Sequence, residues 1–131
     1  TKRQGRSVAI LAFGSMLAPA LEAAESINAT VADMRFVKPL DEQLIGDLAT
    51  SHQLIVTIEE NTLAGGAGSA VNEFLLQSNY LIPVLNLGLP DKFLEHGKVP
   101  DMLVAVGLDG SSVAALIRQK LADCKIQSEA V

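Results

Sequence analysis

Leu54-Ile55-Val56-Thr57-Ile58-Glu59-Glu60-Asn61, followed shortly by Gly65-Gly66-Ala67-Gly68-Ser69, is the stretch that decides the fold. Its first five residues form a short, mostly β-branched run, the pattern of a strand buried on both faces. Glu59-Glu60-Asn61 then sets two carboxylates where a parallel strand opens into a loop. The glycines lead into a helix that carries Val71, Phe74 and Leu75 inward. Open α/β sheets place their ligands and contacts at this end of a strand.

The same alternation continues upstream. Val8-Ala9-Ile10-Leu11-Ala12-Phe13 is a continuous apolar run, expected to be a central strand. Gly14-Ser15 turns the chain. Leu17, Ala20, Leu21, Ala24 and Ile27 then recur at helical spacing, with Pro19 in the first turn, where its missing N–H costs nothing. Ala29 to Met34 reads as a second strand. Asp41 is a suitable N-cap for a helix carrying Leu44, Ile45, Leu48 and Ala49.

Downstream, Leu81 to Leu87 reads as a fourth strand, and Pro83 near its start suggests a sheet edge. Pro100 is expected to start a short helix through Val106. Gly107 ends it, and Asp109 caps a last helix built on Val113, Leu116, Ile117 and Leu121. The polar tail from Cys124 to Val131 is expected to fray. The fold class is therefore α/β, a three-layer α/β/α sandwich around a mostly parallel sheet of four to five strands. Residues 1–6 read as the remnant of a linker or edge strand, 7–123 as the domain and 124–131 as the tail.

Composition narrows the function classes. The chain has 131 residues, enough for one core, and is 49% hydrophobic with only 4% aromatic residues, so Ala, Val, Ile and Leu must build that core. The net charge of −5 argues against a phosphate-binding surface and hence against nucleic acid. One cysteine, Cys124, allows no internal disulfide and suits a reducing, cytoplasmic setting. No apolar run is long enough to cross a membrane, and no leader pattern opens the chain, so no membrane association is expected. The missing initiator Met suggests a piece of something longer.

The glycine stretch does not make a phosphate cradle. A P-loop needs a Lys after its glycines, and Gly68-Ser69-Ala70 has none. The dinucleotide fingerprint fails as well, because Val71 stands where its third glycine belongs. Two carboxylates just upstream would repel a phosphate. The glycines instead let the loop turn tightly and let the helix start pack closely. Glu59 and Glu60, adjacent at a strand end, point to opposite sides and need not act together. A carboxylate there would favour the positive end of the following helix. His52 and His96 lie far apart in sequence and suggest no metal site. No catalytic constellation is visible. Glu59, Glu60, Asn61, Gly65, Gly66, Gly68 and Ser69 are therefore read as an interface or structural loop.

Taken in order, several motifs resemble a known family. They are Val8 to Met16, Asp33-Met34-Arg35-Phe36-Val37-Lys38-Pro39-Leu40-Asp41, Thr57 to Asn61, and Gly65 to Val71. Together they resemble the C-terminal domain of the transketolase-like thiamine diphosphate enzymes over about residues 7–122. Arg35 to Asp41, Gly88-Leu89-Pro90-Asp91, His96-Gly97 and Gly107-Leu108-Asp109 narrow the resemblance to the 1-deoxy-D-xylulose-5-phosphate synthase family.

That resemblance implies a parent enzyme that condenses pyruvate with glyceraldehyde 3-phosphate for isoprenoid, thiamine and pyridoxal synthesis. It implies thiamine diphosphate and magnesium, held in two preceding domains. It implies a homodimer, and a sheet with one antiparallel edge strand contributed by the linker. It assigns no catalytic, cofactor-binding or metal-binding residue to this chain, whose expected role is assembly and packing against the other domains. Two alternatives stay open. One is the equivalent domain of a 2-oxoacid dehydrogenase β-subunit, which docks an acyltransferase core. The other is a free-standing α/β ligand-binding module with a pocket around Gly14, Arg35, Glu60 and Gly88.

Overall fold

A computed structural model describes residues 1–35, 39–60, 66–88, 102–104 and 109–129, with the backbone alone at 102–104 and 126–129. Strands and helices alternate as β1 (Val8–Phe13), a 3-10 turn (Gly14–Met16), α1 (Leu17–Ile27), β2 (Thr30–Met34), α2 (Glu42–Ser51), β3 (Leu54–Glu59), α3 (Ala67–Gln77), β4 (Val84–Gly88), β5 (Met102–Val104) and α4 (Gly110–Glu129). All five strands are parallel, in the order β2-β1-β3-β4-β5.

Side-chain alternation divides the core in two. Val8, Ile10, Ala12, Val56, Ile58, Leu85 and Leu87 face one way, onto Ala20, Ala23 and Ala24 of α1 and Val113 and Ile117 of α4. Ala9, Leu11, Phe13 and Ile55 face the other way, onto Ile45 and Leu48 of α2 and Val71 and Leu75 of α3. A strand covered on both faces has no solvent side, which is why β1 and β3 read as unbroken apolar runs. The small alanines of α1 bring its backbone close to the sheet.

The helix caps follow local chemistry. Asp41 Oδ1 accepts from Leu44 N–H at 3.2 Å, and Asp109 Oδ1 from Ser112 N–H at 2.7 Å. Asn28 ends α1 in the left-handed region, at φ 53°, with its N–H bonded to Ala24 O. The chain's first residues lie against the outer edge of β2, where Arg3 and Val31 form one antiparallel bridge.

Three expectations need correction. Residues 102–104 are a strand paired to β4, not part of a helix. A short apolar run such as Met102 to Val106 fits either state, and here a free sheet edge decided for the strand. β4 therefore lies inside the sheet rather than at its edge. Pro83 precedes the strand and disturbs no ladder; its carbonyl accepts Ile55 N–H at 3.1 Å. The tail does not fray at Cys124, since α4 runs on to Glu129. That segment holds no Gly or Pro, and Lys, Gln and Glu favour a helix.

Candidate functional site at the carboxyl edge of the sheet

The parallel register brings Phe13, Met34, Glu59 and Gly88 to one end of the sheet. Strand order reverses between β1 and β3, so the loops leaving these two strands flank the crevice where this topology takes ligands. Gly14-Ser15 follows β1, and Glu59-Glu60 closes β3.

The two carboxylates diverge, as adjacent residues of a strand must. Glu59, only 6% exposed, turns toward α3. Its Oε1 accepts Ala67 N–H at 2.9 Å and its Oε2 accepts Gly68 N–H at 2.6 Å. These are two of the helix's unpaired N-terminal donors, and the charge lies at the positive end of the helix dipole. Burial pushes the Glu59 carboxyl above its ordinary 4.5, and the two N–H bonds pull part of the way back. Glu60 turns the other way. Its Oε1 accepts both the backbone N–H and the hydroxyl of Ser15, across the mouth of the β1/β3 crevice. Gly14, at φ 68°, makes the left-handed turn that presents Ser15 to it.

Beneath α3 lies a buried polar pair. Thr57 on β3 and Asn86 on β4 stand opposite each other, and Thr57 Oγ1 donates to Asn86 Oδ1 at 2.6 Å. Gly68 sits directly over them. A Cβ there would come within 2.9 Å of Asn86 Oδ1 and 3.0 Å of Thr57 Oγ1. The glycine thus lets the first turn of α3 descend onto the sheet, where Glu59 can reach it. Asn86 Nδ2 and Asn72 Oδ1 are buried and have no partner among the described residues.

Of the seven residues singled out in the sequence, Glu59, Glu60, Gly66, Gly68 and Ser69 fall within the described residues, and Asn61 and Gly65 lie outside them. So do Phe36 to Lys38, Leu89 to Asp91, His96-Gly97 and Gly107-Leu108. Glu59, Gly66 and Gly68 assemble at the start of α3, with Gly66 as its N-cap. Glu60 joins Ser15 instead. The Thr57–Asn86 pair was missed, although a Thr and an Asn inside otherwise apolar strands were the signal. Arg35 stands apart, beside Asp33, Pro39 and Asp41 around a cavity of about 190 Å³ at the end of β2.

Chemically, both oxygens of Glu59 are spent on backbone donors, and Glu60 is held by a loop. At the start of α3, two of the N–H groups that a diphosphate would need already hold Glu59. Among the described residues, no group of three or more His, Cys, Asp or Glu is arranged to hold a metal ion.

The family model for the transketolase C-terminal domain matches residues 1–113. The chain belongs to this family. Transketolase C-terminal domains related to it include part of a 1-deoxy-D-xylulose-5-phosphate synthase from Pseudomonas fluorescens, 57% identical over 92% of this chain and 19% of the relative. The synthase from Methylobacillus flagellatus is 61% identical over 92% of this chain and 20% of its own length. The chain thus spans about one fifth of the curated relatives it matches. Among solved structures, a split-gene transketolase described as an inactive β4 tetramer superposes with a TM-score of 0.75. It is 36% identical and covers 92% of this chain and 41% of that one. The anti-anti-sigma factor PhyR from Bartonella quintana superposes at 0.62 with 23% identity, which shows a shared fold alone. In this transketolase C-terminal domain, Glu59 joins β3 to the start of α3 and Glu60 joins it to the turn after β1.

Proposed function

We propose that this chain is the C-terminal, non-catalytic domain of a 1-deoxy-D-xylulose-5-phosphate synthase. The parent condenses pyruvate with glyceraldehyde 3-phosphate, using thiamine diphosphate and magnesium held by preceding domains of the same polypeptide. This domain packs against those domains and supports a cytoplasmic homodimer. What carries the reading is identity of 55–61% to synthases over more than nine tenths of the chain, matched to only a fifth of their length. The filled anion positions at α3 support a structural rather than a cofactor-binding role. The net charge of −5 suits a domain without nucleic acid partners. Among the described residues no helix is long and apolar enough to cross a membrane. The consistent synthase identity of these relatives favours this parent over a dehydrogenase β-subunit.

The deciding experiment is calorimetry. Titrating thiamine diphosphate with magnesium into this chain alone gives no binding heat, whereas the full polypeptide binds the cofactor and consumes pyruvate with glyceraldehyde 3-phosphate. Saturable cofactor binding by this chain alone would overturn the proposal.

A further inference from the structure

The first six residues are tied to the sheet by more than the single bridge at Arg3. Lys2 and Arg3 N–H both point to Val31 O, at 2.8 and 3.3 Å, and Val31 N–H returns to Arg3 O at 2.9 Å. Arg6 N–H reaches Asn28 O at 2.8 Å, and the Arg3 guanidinium donates to Ala29 O at 2.7 Å and to Asn28 Oδ1 at 3.2 Å. Gly5 passes so close to the Asn28–Ala29 backbone that a Cβ would lie 2.4 Å from it. Ser7, at φ 65°, then turns the strap into β1, and its carbonyl accepts Gln53 and Leu54 N–H.

Within this strap the Gly5 N–H has a side-chain acceptor. It donates at 3.0 Å to Thr30 Oγ1, which is 1% exposed and lies 2.8 Å from His52 Nε2. On the far side of the ring, His52 Nδ1 stands 3.0 Å from Leu48 O. A carbonyl can only accept, so in the neutral ring Nδ1 carries the hydrogen and Nε2 is left as an acceptor. The direction of every bond follows. Gly5 N–H donates to Thr30, the Thr30 hydroxyl donates to Nε2, and Nδ1–H donates to one of the last carbonyls of α2. Ser51 Oγ, 2.9 Å from Nδ1, steadies the ring while its own hydrogen goes to Asp47 O at 2.8 Å.

We propose that Thr30 and His52 are positioning residues forming a latch, which locks the N-terminal strap, and with it the entry of the preceding polypeptide, to the end of α2. This rests on the reading that the chain continues upstream, as its longer relatives do. Thr30 is buried and the half-buried His52 ring is bonded on both sides, so the Gly5 N–H meets its acceptor at a fixed hydroxyl. The backbone bonds at Val31 hold the strap to the edge of β2. The latch fixes its other end, next to β1.

The test is hydrogen exchange followed by mass spectrometry on the full-length polypeptide. In Thr30→Val and in His52→Phe, exchange of the peptide spanning residues 2–8 rises about tenfold, the effect of losing one net hydrogen bond. The peptide covering β3 stays as slow as in the parent. Thr30→Ser keeps the hydroxyl and His52→Gln keeps an acceptor, so both hold strap exchange within about threefold of the parent. Two results overturn the latch. One is a strap that stays equally protected in Thr30→Val and His52→Phe. The other is β3 accelerating by the same factor, which would make both residues supports of the whole fold. Exchange is read on this chain's own residues, so the latch can fail while the synthase reading stands, and the reverse.

Discussion

Glu59 reads in sequence as part of an interface or structural loop, and in space it holds the start of α3 to the end of β3. A carboxylate at the end of a parallel strand is where an acid or base is sought, yet both its oxygens close the first turn of α3. Replacing it by Gln puts an amide NH2 against one of two backbone N–H donors. Glu59→Gln should therefore lose about 1–3 kcal/mol in urea unfolding at neutral pH. The pH dependence has a definite sign. The folded protein holds the Glu59 proton to higher pH than the unfolded chain does, so this group's contribution falls as pH rises from 4.5 through the raised value. The stability gap between parent and Glu59→Gln should be widest at the acid end and narrow across that window. A gap that widens with pH would mean that the two N–H bonds outweigh burial in setting the Glu59 carboxyl. Gly68 is the companion case. Gly68→Ala forces a Cβ against Asn86 and Thr57, both fixed within the sheet, and should cost about 1–3 kcal/mol with no change in the unfolding slope. Sequence exposed both residues. It could not show that Glu59 and Gly68 serve a single contact, because the pairing exists only once α3 is seated over β3.

The elements divide by how much of their stabilisation is local. The helices α1 and α2 and the start of α4 were legible because their apolar spacing and caps, Asp41 and Asp109 among them, are written in consecutive residues. β1 and β3 were legible as unbroken apolar runs. β5 was not, since Met102 to Val104 becomes a strand only through the open edge of β4. The position of β4 inside the sheet depends on β5 in turn, so the two errors have one cause. At this scale Asp109 offers a pH test. Hydrogen bonds to Ser112 hold its carboxyl below the ordinary 3.8. Its capping contribution is therefore fully present above that value and is lost as pH falls through the lowered one. Asp109→Ala should lower the thermal midpoint at neutral pH, and the difference from the parent should shrink toward pH 2. An equal deficit at both ends of the range would mean that the cap bond is not what the substitution removes.

On the scale of the whole molecule, the large apolar side chains Leu76 and Leu81 are, among the described residues, 77% and 97% exposed. They lie near the end of α3 and before β4, with no charged residue between Glu73 and Asp91. The order of the strands carries a further consequence, this one in time. β1 is the first strand of this sheet to leave the ribosome and yet lies inside the finished sheet, between β2 and β3. β2 covers one of its flanks early, while the other stays bare until β3 has been made. A chain stopped after Ser51 holds β1, β2 and their helices but lacks that second neighbour, and it presents a six-residue apolar strand with unpaired N–H and C=O groups. Such a chain should aggregate faster in light scattering than one extended through Gln77; equal rates would mean that α1 and α2 already shield that flank. Synthesis therefore passes through an interval of vulnerability that closes when Leu54 to Glu59 zips onto β1, making translation speed through this segment a determinant of yield.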